Sequence, residues 1–600
     1  MDKKTEKSQA EKLEEKLISN HKNGGLILSD DKLKKADKFS EGYKSFLDKA
    51  KTEREAVVET VAMAEKCGFE KYEQGKKYGE GDKFYFVNRG KAVILTVMGK
   101  RPLSDGIRLA AAHIDSPRLD LKQNPLYEDQ EIALFKTHYY GGIKKYQWTA
   151  IPLSLHGVIV KADGETVTVN IGEDKNDPVF CVTDLLPHLA TAQMKRTSAE
   201  LIKGEELNIL VGDKFYFVNR GKAVILTVMG KRPLSDGIRL AAAHIDSPRL
   251  DLKQNPLYED QEIALFKTHY YGGIKKYQWT AIPLSLHGVI VKADGETVTV
   301  NIGEDKNDPV FCVTDLLPHL ATAQMKRTSA ELIKGEELNI LVGSRPFKDD
   351  KISNKVKLNI MAILNEKYGI VEDDFISAEL EAVPQFKACD VGFDRSMVGA
   401  YGQDDRVCAY TALEAILKCK NPKHTCMTVL TDKEETGSDG NTGLNSSYLP
   451  YFISNLAKTY GLDGYNVISA SQCLSADVNA AVDPTFPDVT EARNASKINY
   501  GVVATKFTGS RGKSGTSDAS AEFVGRVRRL FDKNNIIWQT GELGKVDMGG
   551  GGTVAQYIAN LDMDVIDVGV PVLSMHAPFE VTSKIDIYMA YKAFSAFFED

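Results

Sequence analysis

The sequence has no long apolar run, no excess of one charge and no cysteine framework. Its eight cysteines are scattered over 600 residues without one CxxC pair. That spacing excludes a disulfide scaffold and a cysteine zinc knuckle. No apolar stretch is long enough to span a bilayer, so no membrane partner is expected. Basic and acidic residues nearly cancel, 76 against 83, for a net charge of −7, and no basic stripe marks a nucleic-acid groove. The first residues, "MDKKTEKSQAEKLEEKLISNHKNGG", are charged throughout. They read as a polar or amphipathic helix without the apolar centre of a secretory signal. A reduced, cytoplasmic protein is the expectation.

What is present, first of all, is a repeat. Residues 82–212 recur letter for letter as residues 213–343, an offset of 131. Solenoid repeats are shorter and drift apart; the absence of drift here means a recent tandem duplication. Within each copy, "KFYFVNRGKAVILTVMG" reads as two strands around a turn, and "GIRLAAAHIDSP" as a buried strand. "HGVIVKADGETVTVNIG" alternates apolar and polar residues on both sides of Asp-Gly, a hairpin signature. The unit closes on a stretch that reads as helical, "DLLPHLATAQMKR".

After residue 344 strands alternate with helices, as in an α/β sheet. "DDRVCAYTALEAILK" reads as a helix and "TCMTVLTD" as a strand. Phe523, Val527 and Phe531 share one helix face, and Ile587, Tyr591, Phe594 and Phe598 another. These stripes are core.

Candidate metal ligands collect in a few short motifs: His113 with Asp115, repeated as His244 with Asp246; Asp404-Asp405 in "GQDDR"; Glu434-Glu435 in "DKEETGS"; Asp477 in "SADVNAAVDP"; and His576 in "SMHAPFE". Each follows an apolar run, where sheet strands end and side chains converge on a crevice. Histidine and carboxylate without cysteine suit zinc, cobalt or manganese in an open catalytic site. Singly, each motif has a plainer reading as a hydrogen-bonded core histidine or a solvated acidic pair. His424, in the polar "KNPKHT", reads as a surface residue.

The ordered set "AAHIDSP", "GQDDR", "DKEETGS", "SADVNAAVDP", "RGKSGTSDASAEF" and "SMHAPFE" resembles the M18 metalloaminopeptidases, the aspartyl aminopeptidase and aminopeptidase I group. The resemblance covers nearly the whole chain once one repeat copy is set aside. It implies an α/β zinc-exopeptidase catalytic domain with a mixed sheet flanked by helices. A β-rich dimerisation insert, here present twice, would interrupt it. The corresponding division is residues 1–120, first part of the catalytic domain; 121–212, first insert; 213–251, duplicate catalytic strands; 252–343, second insert; and 344–600, the remaining catalytic domain.

The resemblance further implies an aminopeptidase acting on peptide substrates through two divalent ions, zinc first, with cobalt or manganese as options. Asp404 matches the bridging ligand, with Asp405 as its neighbour. One metal would be completed by His113 or His244 with Asp477, the other by Glu435 and His576. Glu434 would be the general base, and Asp115 or Asp246 would orient its histidine. Lys506, Arg511 and Lys513 could neutralise an acidic first side chain or form a solvated loop. Gly550 and Gly551 would let backbone approach substrate. His188, or its copy His319, matches loosely a histidine that reaches a neighbouring subunit's site. Dimer-based, tetrahedral homo-oligomers are implied, although a second insert could obstruct them.

Asp404, both glutamates, Asp477 and His576 occur once each, so one chain completes one dinuclear centre and one "HID" copy is surplus. The copies are identical, and the sequence does not choose between them. Two other readings stay open: a related metallohydrolase acting on non-peptide amides, and a non-catalytic self-assembly protein.

Overall fold

The computed structural model describes residues 28–184 and 222–600 apart from His113, 130–131, 175–176, 350–351 and 420–421, together with Ser8, Gln9, Leu13, Leu17 and Lys195. Most of the expected N-terminal helix lies outside the described residues. The chain forms two compact units, one of Met1–Ser116, Asn255–Phe266 and Leu341–Phe375, the other of Pro117–Gln254, Lys267–Ile340 and Ile376–Asp600.

The first unit opens with helices α1 (Asp30–Lys49) and α2 (Glu53–Lys66). A capping box starts α2: the Thr52 hydroxyl accepts from Glu55 N, and the Glu55 carboxylate accepts from Thr52 N. Strands β1 (Glu70–Lys71), β2 (Lys83–Asn88) and β3 (Ala92–Val97) form a small sheet in that order. Arg89 and Gly90, with φ of 52° and 67°, make the turn expected between β2 and β3. Beyond β3 the expected buried strand does not form. Residues 107–112 are irregular and exposed.

In the other unit, the rest of copy one forms two hairpins, β4 (Arg118–Asp129) with β5 (Ile132–Tyr140), and β6 (Leu155–Val160) with β7 (Thr166–Ile171). The described part of copy two begins at residue 222. It yields β8 (Val224–Val228) and β9 (Ile238–His244). There follow β10 (Arg249–Asp260), β11 (Ile263–Tyr271), β12 (Leu284–Val291), β13 (Thr297–Ile302), β14 (Cys312–Val313) and β15 (Asn339–Gly343). Helix α3 (Lys355–Tyr368), which belongs to the first unit, and strand β16 (Ala378–Pro384) come next in the chain. A seven-stranded sheet has the order β13-β12-β16-β10-β11-β15-β14. The stretch read as helical at the end of the repeat is instead two short 3-10 turns in copy two, Pro318–Leu320 and Gln324–Lys326. Proline at the first of these lacks the N–H that a helix running through it would need. Its copy-one counterpart lies outside the described residues.

The remaining chain supplies β17 (Cys389–Val391), β18 (Met397–Ala400), α4 (Gln403–Lys418), β19 (Thr425–Thr431), α5 (Tyr448–Lys458) and α6 (Gly464–Ser469). It continues with β20 (Gln472–Ala476), β21 (Asn479–Ala480), β22 (Val502–Thr505), α7 (Ala521–Lys533) and β23 (Trp538–Thr540). It ends with α8 (Ala555–Ala559), β24 (Asp564–Gly569), β25 (Pro571–Leu573), β26 (Glu580–Ser583) and α9 (Lys584–Glu599).

The central sheet runs β23-β22-β24-β20-β9-β19-β8. Strand β9 lies parallel to both neighbours, and all seven of its residues are buried. A strand covered on both faces tolerates a run as apolar as residues 240–243. Helices α4, α7 and α9 close one face around Val407, Phe531 and Phe594. Helices α5 and α8 close the other around Leu449 and Ile558. Phe523, Val527 and Phe531 are buried as expected, as are Phe594 and Phe598, while Ile587 and Tyr591 are partly buried. A second sheet, β17-β18-β26-β25-β21, carries the other ligands. Among the described residues no helix is long and apolar enough to cross a membrane.

Candidate metal centre

The ends of the strands bring the carboxylates and histidines together. His244 is the last residue of β9, Glu434 and Glu435 form the turn after β19, and Asp477 follows β20. Asp404 and Asp405 open α4, and His576 sits between β25 and β26. Two ligand groups result, His244 with Asp405 and Asp477, and Asp404 with Glu435 and His576. In each, the candidate ligand atoms lie within 4.8 Å of one another.

Asp404 lies between the two histidines. Its Oδ1 is 3.0 Å from His244 Nε2 and its Oδ2 is 3.2 Å from His576 Nε2. Burial works against its charge, but the two histidines prevail and hold the carboxyl well below the usual carboxylate range. The other carboxyls go the opposite way. Burial drives Asp405, Glu435 and Asp477 well above their ordinary values, and pushes Glu434 up to about 7. Burial tends to discharge His576, yet Glu435 and Asp404 raise it to about 10. Asp405 Oδ1 and Glu435 Oε1 are buried without a hydrogen-bond partner. Orphaned carboxylate oxygens among crowded acids are satisfied by divalent cations, and the nitrogen and oxygen donor set fits zinc, cobalt or manganese.

Asp246 does more than orient a histidine. His244 Nδ1 bonds the main-chain oxygen of Asp246 at 3.0 Å, with Oδ1 at 3.5 Å. The Asp246 carboxylate accepts from the Glu434 and Glu435 amides at 3.1 and 3.2 Å, so it fixes the turn that carries both glutamates. Copy one contributes no described ligand: His113 lies outside the described residues, and Asp115 belongs to neither group.

Several residues at the centre escaped the sequence reading. Glu580 accepts from His576 N at 2.6 Å and from Asp404 N at 3.2 Å, and so ties two ligand backbones together. The Tyr271 hydroxyl donates to Asp246 Oδ2 at 2.8 Å. The Gly273 carbonyl lies 2.8 Å from His576 Nδ1. A side chain at Gly272 would press on Glu435 Oε2, 2.9 Å away. The only local signals were the glutamate ending "SMHAPFE" and the Gly pair in "HYYGGIKK".

Other expectations change. Lys506 and Lys513 both pair with Asp518, at 2.5 and 3.0 Å, so one carboxylate is shared between two cations. Arg511 lines a small cleft with Phe507, Glu542 and Leu543. The close approach at Gly550 is to the chain itself: with φ 121°, a Cβ there would lie 2.0 Å from Gly509 O. Gly551 O accepts from Gly509 N on the same loop contact. His319 is exposed on a 3-10 turn and joins neither ligand group, and His188 lies outside the described residues. His424 is a correction: it is buried, with Nε2 3.1 Å from the Arg239 guanidinium arriving on β9.

The family model for aminopeptidase I zinc metalloprotease (M18) matches residues 46–203 and again 192–598. The chain belongs to the M18 aminopeptidase family. The first match holds most of copy one and the second all of copy two. An M18 relative from Clostridium acetobutylicum, described as "Probable M18 family aminopeptidase 1", is 53% identical over 70% of this chain and 90% of its own length. The crystal structure of aminopeptidase I from that organism aligns with a TM-score of 0.62 at 55% identity, over 64% of this chain and 84% of that one. The M18 aminopeptidase structure from Thermotoga maritima aligns with a TM-score of 0.60 at 35% identity, over 97% of this chain and all of the other. M18 membership makes this chain a metal-dependent aminopeptidase with a mixed α/β fold.

Proposed function

We propose that the chain releases the first residue of peptides with a free amino terminus, using two divalent metal ions, zinc in the first place. His244 and Asp477 would complete one site, Glu435 and His576 the other, with Asp404 shared. The observation that carries this reading is the position of Asp404, whose two oxygens reach toward one histidine each. When bound, such ions supply Lewis acidity, polarising the scissile carbonyl and acidifying water. Glu434 takes the proton of the attacking water and delivers it to the leaving amine. Burial that holds its carboxyl near neutrality suits both halves of that transfer. Asp246 fixes the Glu434 backbone and Glu580 fixes the backbones of Asp404 and His576, so the acids and bases keep their places through the cycle.

The test is hydrolysis of unblocked and N-acetylated aminoacyl anilides by metal-supplemented protein, with metal content measured alongside. Cleavage of the unblocked series alone, with about two ions per chain, supports the reading. Equal cleavage of blocked substrates would point to a hydrolase of non-peptide amides. A protein without metal or turnover would be a scaffold.

A further inference from the structure

Lys144 and Lys275 hold the same place in the two repeat copies, as do Asp184 and Asp315. Each lysine pairs with the aspartate of the other copy. Lys144 Nζ lies 2.8 Å from Asp315 Oδ1, and Lys275 Nζ lies 2.9 Å from Asp184 Oδ1. The side chains of both lysines are fully buried. The surrounding bonds are exchanged in the same way. Tyr146 and Gln147 donate to Asp315 Oδ2 at 3.0 and 2.9 Å, while Tyr277 and Gln278 donate to Asp184 Oδ2 at 2.8 and 2.9 Å. The rings of Tyr146 and Tyr277 meet edge to face, with centroids 5.5 Å apart.

The backbone stays within each copy. Ala150 N donates to Val182 O, and Ala281 N to Val313 O. Among the described residues, the bonds that cross here are made by side chains. A surface on which residue i of one copy meets j of the other, and j meets i, is a two-fold, self-complementary interface. Because the copies are identical in sequence, the same surface would join two separate chains that each carried one copy. A tether between the halves raises their effective concentration to about the millimolar range, which favours closure within one molecule.

The two copies differ in what lies behind the exchange. In copy one, Asp184 N donates to Ser574 Oγ at 3.1 Å, two residues from His576. Phe180 and Cys181 are buried in one cluster with Leu573 and Phe579. In copy two the matching segment has no such cover: Cys312 is only partly buried, and Val310 is 51% exposed.

We propose that copy one fills, within the same chain, the surface through which a second copy of this chain would otherwise pair. The protein thus carries its own two-fold partner and presents no such surface to another molecule. This inference rests on the exchanged side chains and not on the metal chemistry.

Lys145 and Lys276 stand on the two facing turns, Lys145–Trp148 and Lys276–Trp279, next to the exchanged lysines. Their proteolytic peptides are identical, so a bond between them gives a peptide joined to itself. The unmodified full-length chain is treated with an amine-reactive crosslinker, separated by size under denaturing conditions and digested. The self-joined peptide is expected in the single-chain band of 66.2 kDa. Its recovery only from a two-chain band would overturn the proposal, because the exchange would then run between molecules. Its absence from both bands would overturn it as well, because the turns would then not face each other.

Discussion

Leu109 and Leu240 occupy the same position in two identical stretches of sequence, yet Leu109 is 76% exposed and Leu240 is 1% exposed. Tertiary context makes the difference. Between β19 and β20 there is one slot for a strand, and copy two fills it with β9. Copy one's stretch has the same β propensity but pairs with no strand among the described residues. Leu240→Ala should therefore destabilise the protein by about 2–5 kcal/mol, a buried leucine truncated in a packed sheet. Leu109→Ala should stay within about 0.5 kcal/mol of the parent. Urea unfolding of the two variants checks this, and equal losses would mean that both copies visit the slot.

The same asymmetry decides the histidines. On the proposed reading, His244→Ala should cost the chain about one bound ion and nearly all turnover, since it removes a candidate ligand at the C-terminal end of β9. His113→Ala should leave both unchanged. Metal content by elemental analysis, beside anilide hydrolysis, separates the two. A variant pair in which neither loses activity would show that either copy can dock.

The clustering of the candidate ligands was legible in the sequence because each follows an apolar run that ends where sheet strands end. The strand-end rule placed the HID histidines, Asp477 and Glu434 near one crevice, and their roles as ligands or base came only from the resemblance to the M18 family. What was not legible depends on contacts between distant segments. His424 sits in a polar loop, but Arg239 comes in on β9 to cover it. Glu580 acts through the main-chain amides of Asp404 and His576, and a backbone contact leaves no pattern in side-chain types. The choice between copies could not be read at all, because two identical strings differ only in what surrounds them.

Glu580 offers a test of positioning apart from chemistry. Its two oxygens each accept one backbone N–H, and a glutamine can match only one while turning an amide N–H toward the other. Glu580→Gln should weaken metal binding by about 10–100-fold, the usual cost of losing a group that holds ligands in place. Metal titration by calorimetry reads this directly. At saturating metal the variant should recover most of its kcat, which a residue acting on substrate would not do.

Asp567, buried in β24, links pH to stability. It accepts from the Thr553 hydroxyl at 2.9 Å, its other oxygen has no partner, and burial pushes its carboxyl up to about 6. A carboxyl whose folded value lies above its unfolded one of 3.8 binds its proton more tightly in the native state. Its contribution to stability is therefore complete below pH 3.8 and is lost as pH rises through about 6. The difference is on the order of 3 kcal/mol. Asp567→Asn keeps an acceptor for Thr553 and carries no charge at any pH. Relative to the parent, the variant should gain stability between pH 4 and 7 and hold a constant advantage above that range. Urea midpoints of both proteins across those pH values give the comparison, and a difference that does not change with pH would show that Asp567 is ionised in the fold throughout.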